Sequence, residues 1–117
     1  MIVEFVTFNA PAGWDRAQIL EDARHTVPRW SANRDLLRKH FVRGLGTDEG
    51  TLGGVYVWPS IEAAQAAHNA EWWAGIVKRT GGEPTIRYFD LFLLIDNENQ
   101  AVTEFASDGT PRSLDRT

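Results

Sequence analysis

The strand-like segments of this chain are apolar on both faces, and this feature constrains the fold more than any other. Four such segments and two helix-like segments follow one another in the order βαββαβ. The last strand-like segment, residues 85–95, carries large apolar side chains at both odd and even positions. Because one layer of helices covers only one face of a sheet, the other face needs a second partner. The sequence therefore predicts a sheet that packs on a second sheet, most simply that of another copy of the chain.

Element boundaries up to residue 54 follow from β-branched and aromatic runs, capping residues and turns. Asp15 and Gln18 form a capping pattern, and Pro28 disfavours a continued helix. Basic residues in the second strand indicate an edge position, because charge discourages pairing with another chain. The predicted elements are strand 2–9, helix 15–27, strand 36–43 and a flexible hairpin loop 44–54.

The next elements are a short strand, 55–58, and a helix that starts after the capping residue Ser60. Apolar and aromatic residues recur at spacings of three or four along this helix, and the same stripe includes His68 and Trp72. Asn69 is a second capping residue within the stretch. We therefore predict a kinked pair of helices rather than one continuous helix.

Two βαβ-like halves with antiparallel pairing predict a ferredoxin-like α+β sandwich, with helices on one face of a four-stranded sheet. The other face is predicted to be buried in a homodimer, since apolar burial contributes about 25 cal/mol per Å². We expect this domain to comprise residues 1–97. Residues 98–117 are polar and are predicted to be a C-terminal tail, in which 100–106 could add a strand.

Composition and charge argue against several classes of protein. The 117 residues carry a net charge of −4 without a basic stripe, which disfavours a nucleic-acid partner. The longest uninterrupted apolar run, Leu91–Ile95, is too short to span a bilayer. The absence of cysteine removes disulfides and thiolate ligands and fits a reducing compartment. We therefore expect a cytoplasmic protein that does not associate with membranes.

Several stretches of the sequence resemble a known group of proteins. They are Gly53–Ser60, which precedes an alanine-rich helix, then Glu71–Trp73 and Tyr88–Asp90. Over residues 1–97 the chain resembles the dimeric α+β barrel superfamily, and within it the YdhR-type monooxygenases, which are similar to antibiotic biosynthesis monooxygenases. The resemblance implies a ferredoxin-like βαββαβ sandwich that forms a dimeric α+β barrel, with a pocket between helices and sheet.

The resemblance also implies a class of chemistry. Members of this superfamily include monooxygenases that oxidise phenolic or polyketide-like aromatic molecules without a bound cofactor, so we predict that activity with neither cofactor nor metal. Haem-degrading members carry a helical tryptophan where Ala67 stands here, and haem chemistry is not carried over. No serine-centred elbow, pair of catalytic carboxylates or closely spaced set of His, Asp and Glu residues points to hydrolase or metal chemistry.

Candidate catalytic residues are those that would face the pocket and move or hold a proton. His68 lies on an apolar helical stripe, and an imidazole can accept a phenolic proton near neutral pH. Tyr56 and Asn9 would hold the deprotonated substrate, and for Asn9 the resemblance supplies the position of a polar pocket residue. Aromatic residues predicted to line the substrate pocket are Trp58, Trp72, Tyr88 and Phe92.

Other interpretations of the same residues stay open from the sequence. A histidine at a helix end is more often structural than catalytic, and most of the aromatic residues would equally serve a core or a dimer interface. The chain would then be a non-catalytic ligand-binding or interaction domain on the same scaffold. A cofactor-free isomerase with the same pocket and base is a third hypothesis. Isolated acidic residues such as Glu4 are predicted to be solvated or to cap helices.

Overall fold

The computed structural model describes the whole chain, Met1 to Thr117. A βαββαβ core, in which the second helical region is a pair of helices, is followed by three more strands. The strands are β1 (Ile2–Asn9), β2 (Arg38–Arg43), β3 (Thr51–Trp58), β4 (Thr85–Asp90), β5 (Leu93–Asp96), β6 (Ala101–Phe105) and β7 (Pro111–Leu114). The helices are α1 (Arg16–Ser31), α2 (Ile61–Ala67) and α3 (Ala70–Thr80), with a 3₁₀ turn at Gly46–Asp48.

The first four strands form one antiparallel sheet in the order β2-β3-β1-β4. Each of the three helices contributes a side chain to the core on one face of this sheet, where Trp30, Ala64 and Trp72 pack with Val6 and Tyr56. This arrangement is a ferredoxin-like sandwich and confirms the predicted α+β class. Strand β2 lies at the edge of the sheet, as its basic residues predicted.

The outer face of the sheet, opposite the helices, is also apolar. Strand register places Val3 between Val57 and Phe89, and it places Phe5 beside Val55 in the next row of that face. These side chains are all half-buried or exposed within a single chain. The outer face is therefore apolar surface of the kind that the sequence pattern predicted.

Strands β5, β6 and β7 form a second antiparallel sheet, so the prediction of a single strand over 85–95 was wrong, whereas the strand suggested over 100–106 corresponds to β6. Strand β4 stops at Asp90 because its register partner is Ile2, where β1 begins and pairing runs out. The predicted boundary at residue 97 falls between β5 and β6, inside the second sheet. Val102 pairs with both Ile95 and Leu114. These three side chains form one apolar row across the second sheet, which is enough to pair its strands although the segment is mostly polar.

Two boundaries in the first half also differ from the prediction. Helix α1 continues past Pro28 to Ser31. Proline loses a backbone hydrogen bond and crowds the preceding turn, and the burial of Trp30 in the last turn offsets that cost. The predicted hairpin loop over 44–54 is shorter, because β3 already begins at Thr51 and pairs with β1 from there.

The kinked pair of helices is confirmed. The Ser60 side chain accepts a hydrogen bond from the backbone of Ala63 and starts α2, which ends at Ala67 with His68 as its C-cap. The Asn69 side chain accepts one from the backbone of Trp72 and starts α3 at once. No helix in the structure combines the length and the apolar character needed to cross a lipid bilayer.

Candidate functional site

A row of four ionisable residues crosses the inner face of the four-stranded sheet, with one residue from each strand. Strand register pairs Lys39 with Tyr56, Tyr56 with Glu4, and Glu4 with Tyr88. We call these four residues the transverse row. Cross-strand partners share a face of the sheet, so all four side chains lie on the side of the helices. The sheet thereby places polar groups next to its apolar core.

Glu4 is completely buried, with 0% of its surface exposed. We call the part of the row around Glu4 and the neighbouring His68 the closed part. Its Oε1 accepts a hydrogen bond of 2.9 Å from the indole Nε1 of Trp58. The same oxygen lies 2.9 Å from Nδ1 of His68. The imidazole N–H is not aligned with this second contact, which is therefore a close electrostatic contact and not a hydrogen bond. A buried carboxylate needs such partners, and Trp58 and His68 supply them at Oε1.

His68 is enclosed by aromatic rings. The ring centroids of Trp72 and Tyr56 lie 4.4 and 4.7 Å from that of His68. Those of Trp30 and Trp58 lie 5.4 and 6.4 Å away. Nothing hydrogen-bonds to Nε2, and the side chain is fully buried. His68 thus stands behind the aromatic rings and is closed off from solvent.

The sequence of α2 explains this closure. Ala64 is fully buried, and Ala63 and Ala67 pack against the same core cluster. Side chains this small let the helix backbone approach the sheet closely. His68 caps the C-terminus of α2, so the close approach carries its ring down onto Glu4.

An open cleft of about 1070 Å³ lies between α1, α3 and the β2 side of the same sheet. Pockets that bind small molecules span about 300–1,000 Å³, so a cleft of this size accommodates a polycyclic ligand. The cleft reaches from Arg16 at the start of α1 to Trp30 near its end. Its larger apolar lining residues are Phe8, Ile19, Leu20, Trp30, Phe41, Val42, Leu45, Leu52, Tyr56, Trp72 and Ile76.

Lys39 is the end of the transverse row that lines this cleft. Its Nζ lies 4.0, 3.9 and 4.6 Å from the ring centroids of Trp30, Phe41 and Tyr56. No carboxylate forms an ion pair with it. Burial, followed by the positive charge of Arg29, lowers the pKa of Lys39 to about 7, although Glu4 acts in the opposite direction. The amine is therefore partly neutral near pH 7 and can accept a proton.

Tyr56 connects the closed and open parts of the row. Its ring stacks on Trp58 with centroids 6.0 Å apart, and it also lines the cleft. Burial raises the pKa of Tyr56, and the negative charge of Glu4 raises it further, so the hydroxyl keeps its proton and can donate it in a hydrogen bond. A Cβ at Gly54 would lie 3.0 Å from that hydroxyl oxygen. Glycine at this position therefore makes room for the ring.

At the far end of the row, Tyr88 is half-buried beside Glu4. Burial raises the pKa of Tyr88, and the charge of Glu4 contributes in the same direction. Tyr88 does not line the cleft. Both tyrosines of the row are thus neutral phenols that flank one buried carboxylate.

The structure brings most of the predicted catalytic residues near one another but separates Asn9 from them. Tyr56 lines the cleft, while His68 touches Tyr56 from behind and does not reach the cleft with its side chain. Asn9 is exposed at the end of β1 and does not line the cleft. Strand alternation places it on the face opposite Glu4. The role predicted for Asn9 stays a prediction, and Asn9 is not among the residues that line the cleft.

The predicted substrate-binding residues also divide. Trp72 lines the cleft, whereas Trp58 is fully buried and Tyr88 is half-buried, both beside Glu4. Phe92 lies between the two sheets in the sequence, is 67% exposed and is absent from the lining of the cleft. Only Trp72 among the four can therefore touch a ligand in the cleft.

Glu4 and Lys39 were missed as site residues. The prediction that Glu4 is solvated was wrong, because its side chain lies on the same face of the strand as the apolar Ile2 and Val6. That alternation was visible in the sequence. Lys39 was interpreted only as an edge charge, and nothing local in the sequence shows that three aromatic rings from α1, β2 and β3 surround it.

Glu4 and His68 have no third side chain beside them that could complete a metal site. Nowhere in the chain do three or more His, Asp or Glu side chains come close enough together to hold a metal ion. The side chains that face the cleft are aromatic, aliphatic and basic for the most part. This lining suits an organic ligand.

Comparison with solved structures finds proteins of the same fold. A candidate antibiotic biosynthesis monooxygenase from Deinococcus radiodurans superposes with a TM-score of 0.62 at 14% identity, over 82% of this chain and 97% of that one. The chain has the fold of these proteins. A second candidate antibiotic biosynthesis monooxygenase, from Caulobacter crescentus, gives a TM-score of 0.53 at 18% identity, over 77% and 88% of the two chains.

A protein of unknown function from Nitrosomonas europaea has the same fold, with a TM-score of 0.59 at 19% identity over 77% of this chain and 87% of that one. No family model matches the sequence, and no match to a curated protein was found. The ferredoxin-like α+β fold that the resemblance implied is thus confirmed. Identities this low carry no residue roles from one protein to another.

Proposed function

We propose that the protein is a cofactor-independent monooxygenase that oxidises an aromatic or polyketide-like molecule with an acidic hydroxyl, bound in the cleft. One observation carries this proposal. The amine of Lys39, whose pKa is lowered to about 7, faces an aromatic cleft large enough for a polycyclic ligand. A base that is partly neutral near pH 7 and sits beside aromatic walls suits removal of a phenolic proton.

The proposed reaction uses the residues at the open part of the transverse row. The amine of Lys39 takes the proton of the substrate hydroxyl, and the resulting ammonium and the Tyr56 hydroxyl stabilise the oxyanion. The electron-rich anion passes one electron to O₂, and the two radicals combine to form a carbon–oxygen bond. The resulting peroxide anion takes the proton back from the Lys39 ammonium, and the hydroperoxide then loses water, with the hydrogen of the same ring carbon, to leave a quinone. One oxygen atom of O₂ therefore enters the product and the other leaves as water. The apolar lining keeps bulk water from the anion.

In this proposal His68 and Glu4 position other residues and do not touch the substrate. His68 packs edge-on against both Tyr56 and Trp72, which are the residues that do line the cleft. Glu4 fixes His68 at 2.9 Å and Trp58 by a hydrogen bond. The role of proton acceptor, which the sequence suggested for His68, therefore moves to Lys39.

We also propose that the protein acts as a homodimer in the cytoplasm. The outer face of the four-stranded sheet carries an apolar cluster that includes the half-buried Val3 and Phe5 and the exposed Phe89. A second copy placed on this face would bury it. The cytoplasmic assignment rests on the absence of cysteine in a sequence of 117 residues.

Oxygen consumption tests the proposed activity. Purified protein treated with a chelator and mixed with 1-naphthol should consume O₂ and form one naphthoquinone per O₂ consumed. Lys39→Arg should lower the rate at least tenfold, because a guanidinium keeps its proton and cannot act as a base. Lys78→Arg, at an exposed site on α3, is the matched control and should leave the rate unchanged.

The alternatives predict different results in the same assay. A non-catalytic binding domain would bind naphthols without O₂ consumption. An isomerase would convert its substrate into a product that gains no oxygen. Equal rates for the wild type and Lys39→Arg would contradict the proposed role of Lys39.

A further inference from the structure

The charges along the cleft differ in sign from the charge of the whole protein. The chain has a net charge of −4, but the cleft lining contains five basic side chains and two acidic ones. One of the acids, Asp22, pairs with Arg79 at 3.3 Å. The basic side chains left without an ion pair are Arg16, Arg29, Lys39 and Arg43, against Glu71 as the only such acid.

Two of these cations converge on one aromatic ring. The guanidinium carbon of Arg29 lies 5.0 Å from the ring centroid of Trp30, and Nζ of Lys39 lies 4.0 Å from the same centroid. The guanidinium donates only one long hydrogen bond, of 3.5 Å, to the backbone oxygen of Ala67. The positive charge of Arg29 acts unfavourably on the Lys39 ammonium, and an anion bound by the Arg29 guanidinium would offset that repulsion.

We infer that the ligand of the cleft is an aromatic carboxylate, held through its carboxylate group by the Arg29 guanidinium while its rings lie on the aromatic floor. The inference deepens the proposed function and rests on it for the choice of the cleft as the substrate site. A guanidinium offers two parallel N–H donors that match a carboxylate, which an ammonium cannot do. Lys39 stays available for a hydroxyl on the same ring system, so the proposed substrate is a hydroxylated aromatic acid.

Calorimetric titration with a charged and a neutral ligand of the same shape tests this inference. We expect 2-naphthoate to bind the wild-type protein at least tenfold more tightly than 2-naphthamide. Arg29→Gln should weaken 2-naphthoate binding about tenfold and leave 2-naphthamide binding unchanged, because a glutamine side chain retains donors but no charge. Arg24→Gln, on the exposed side of the same helix, is the control and should change neither affinity.

The outcomes separate this inference from the proposed function. Equal affinities for the two ligands, or an equal loss of both in Arg29→Gln, would overturn the inference. If 1-naphthol is oxidised but 2-naphthoate has no advantage in binding, the oxygenase proposal stands and the carboxylate inference fails. If 2-naphthoate binds preferentially but neither 1-naphthol nor 3-hydroxy-2-naphthoate consumes O₂, the carboxylate site stands and the oxygenase proposal fails.

Discussion

The closed and open parts of the transverse row share one sheet and one layer of helices, yet their surroundings differ. At the closed part, Glu4 and the side chain of His68 are completely buried and hold each other at 2.9 Å. At the open part, Lys39 lines a cleft of about 1070 Å³ and has no carboxylate partner. The same strand register thus produces a sealed contact on one side and an accessible base on the other.

The helices above the row cause this difference. Helix α2 presents Ala63, Ala64 and Ala67 to the core and lies close to the sheet. Helix α1 buries only Trp30, near its C-terminal end, and the rest of it forms a wall of the cleft. The small alanine side chains of α2 therefore close the interface with the sheet on the Glu4 side. On the Lys39 side, the large Trp30 side chain of α1 keeps the helix away from the sheet and leaves the cleft open.

Removing the buried carboxylate should have the largest effect on stability. Glu4→Ala leaves His68 and the Trp58 indole N–H without their partner in a fully buried site. Breaking a buried pair on one side costs about 3–5 kcal/mol, which we expect to appear in urea unfolding at pH 7. Glu62→Ala, at an exposed site on α2, is the control and should change stability by less than about 0.5 kcal/mol. A loss below about 1 kcal/mol in Glu4→Ala would show that the closed part is not sealed as described.

Replacing the base should have a smaller effect, of opposite sign. Lys39 is charged in both the folded and unfolded states below about pH 7, and there the folded state carries the full cost of burying the ammonium. As the pH rises from about 7 towards 10.5, the usual value, the folded protein binds fewer protons than the unfolded chain. Wild-type stability therefore rises with pH across this interval.

Lys39→Met removes this dependence. We expect it to stabilise the protein by about 2 kcal/mol at pH 6, a value reduced from the full shift because the side chain is partly solvated, with the gain shrinking towards pH 10. Urea unfolding between pH 6 and 10 measures both variants. Parallel stability curves for the wild type and Lys39→Met would show that Lys39 titrates normally.

The ion pair across the cleft should contribute least. Asp22 on α1 and Arg79 on α3 lie 3.3 Å apart, and both side chains are partly exposed. Exposed pairs contribute about 0–1 kcal/mol, so Asp22→Asn should lower the free energy of unfolding by less than about 1 kcal/mol. Glu21→Gln, which removes a pair within α1, should behave the same way. A loss above about 2 kcal/mol for Asp22→Asn alone would mean that the pair holds the cleft together.

The sequence predicted the fold well where periodicity and capping residues determine it. The strand of residues 2–9, the edge position of β2 and the break between α2 and α3 at Asn69 were all predicted. The second sheet was missed because its segment is polar, and its pairing depends on where β1 ends and not on its own composition.

The candidate site was predicted in part. Tyr56, His68 and Trp72 were singled out, and the structure brings their rings together. Lys39 could not be recognised, because its lowered pKa arises from rings and charges that are distant in the sequence. Glu4 could have been recognised, since strand alternation alone places it among buried residues.

The protonation state of Lys39 can be followed directly by NMR. In protein labelled with ¹³C at lysine, the Cε resonance of Lys39 can be assigned by its loss in Lys39→Met and followed from pH 5 to 11. The structure predicts a midpoint near 7 for this resonance. A midpoint near the usual value of 10.5 would mean that Lys39 is charged throughout the physiological range, and the proposed base would then not exist.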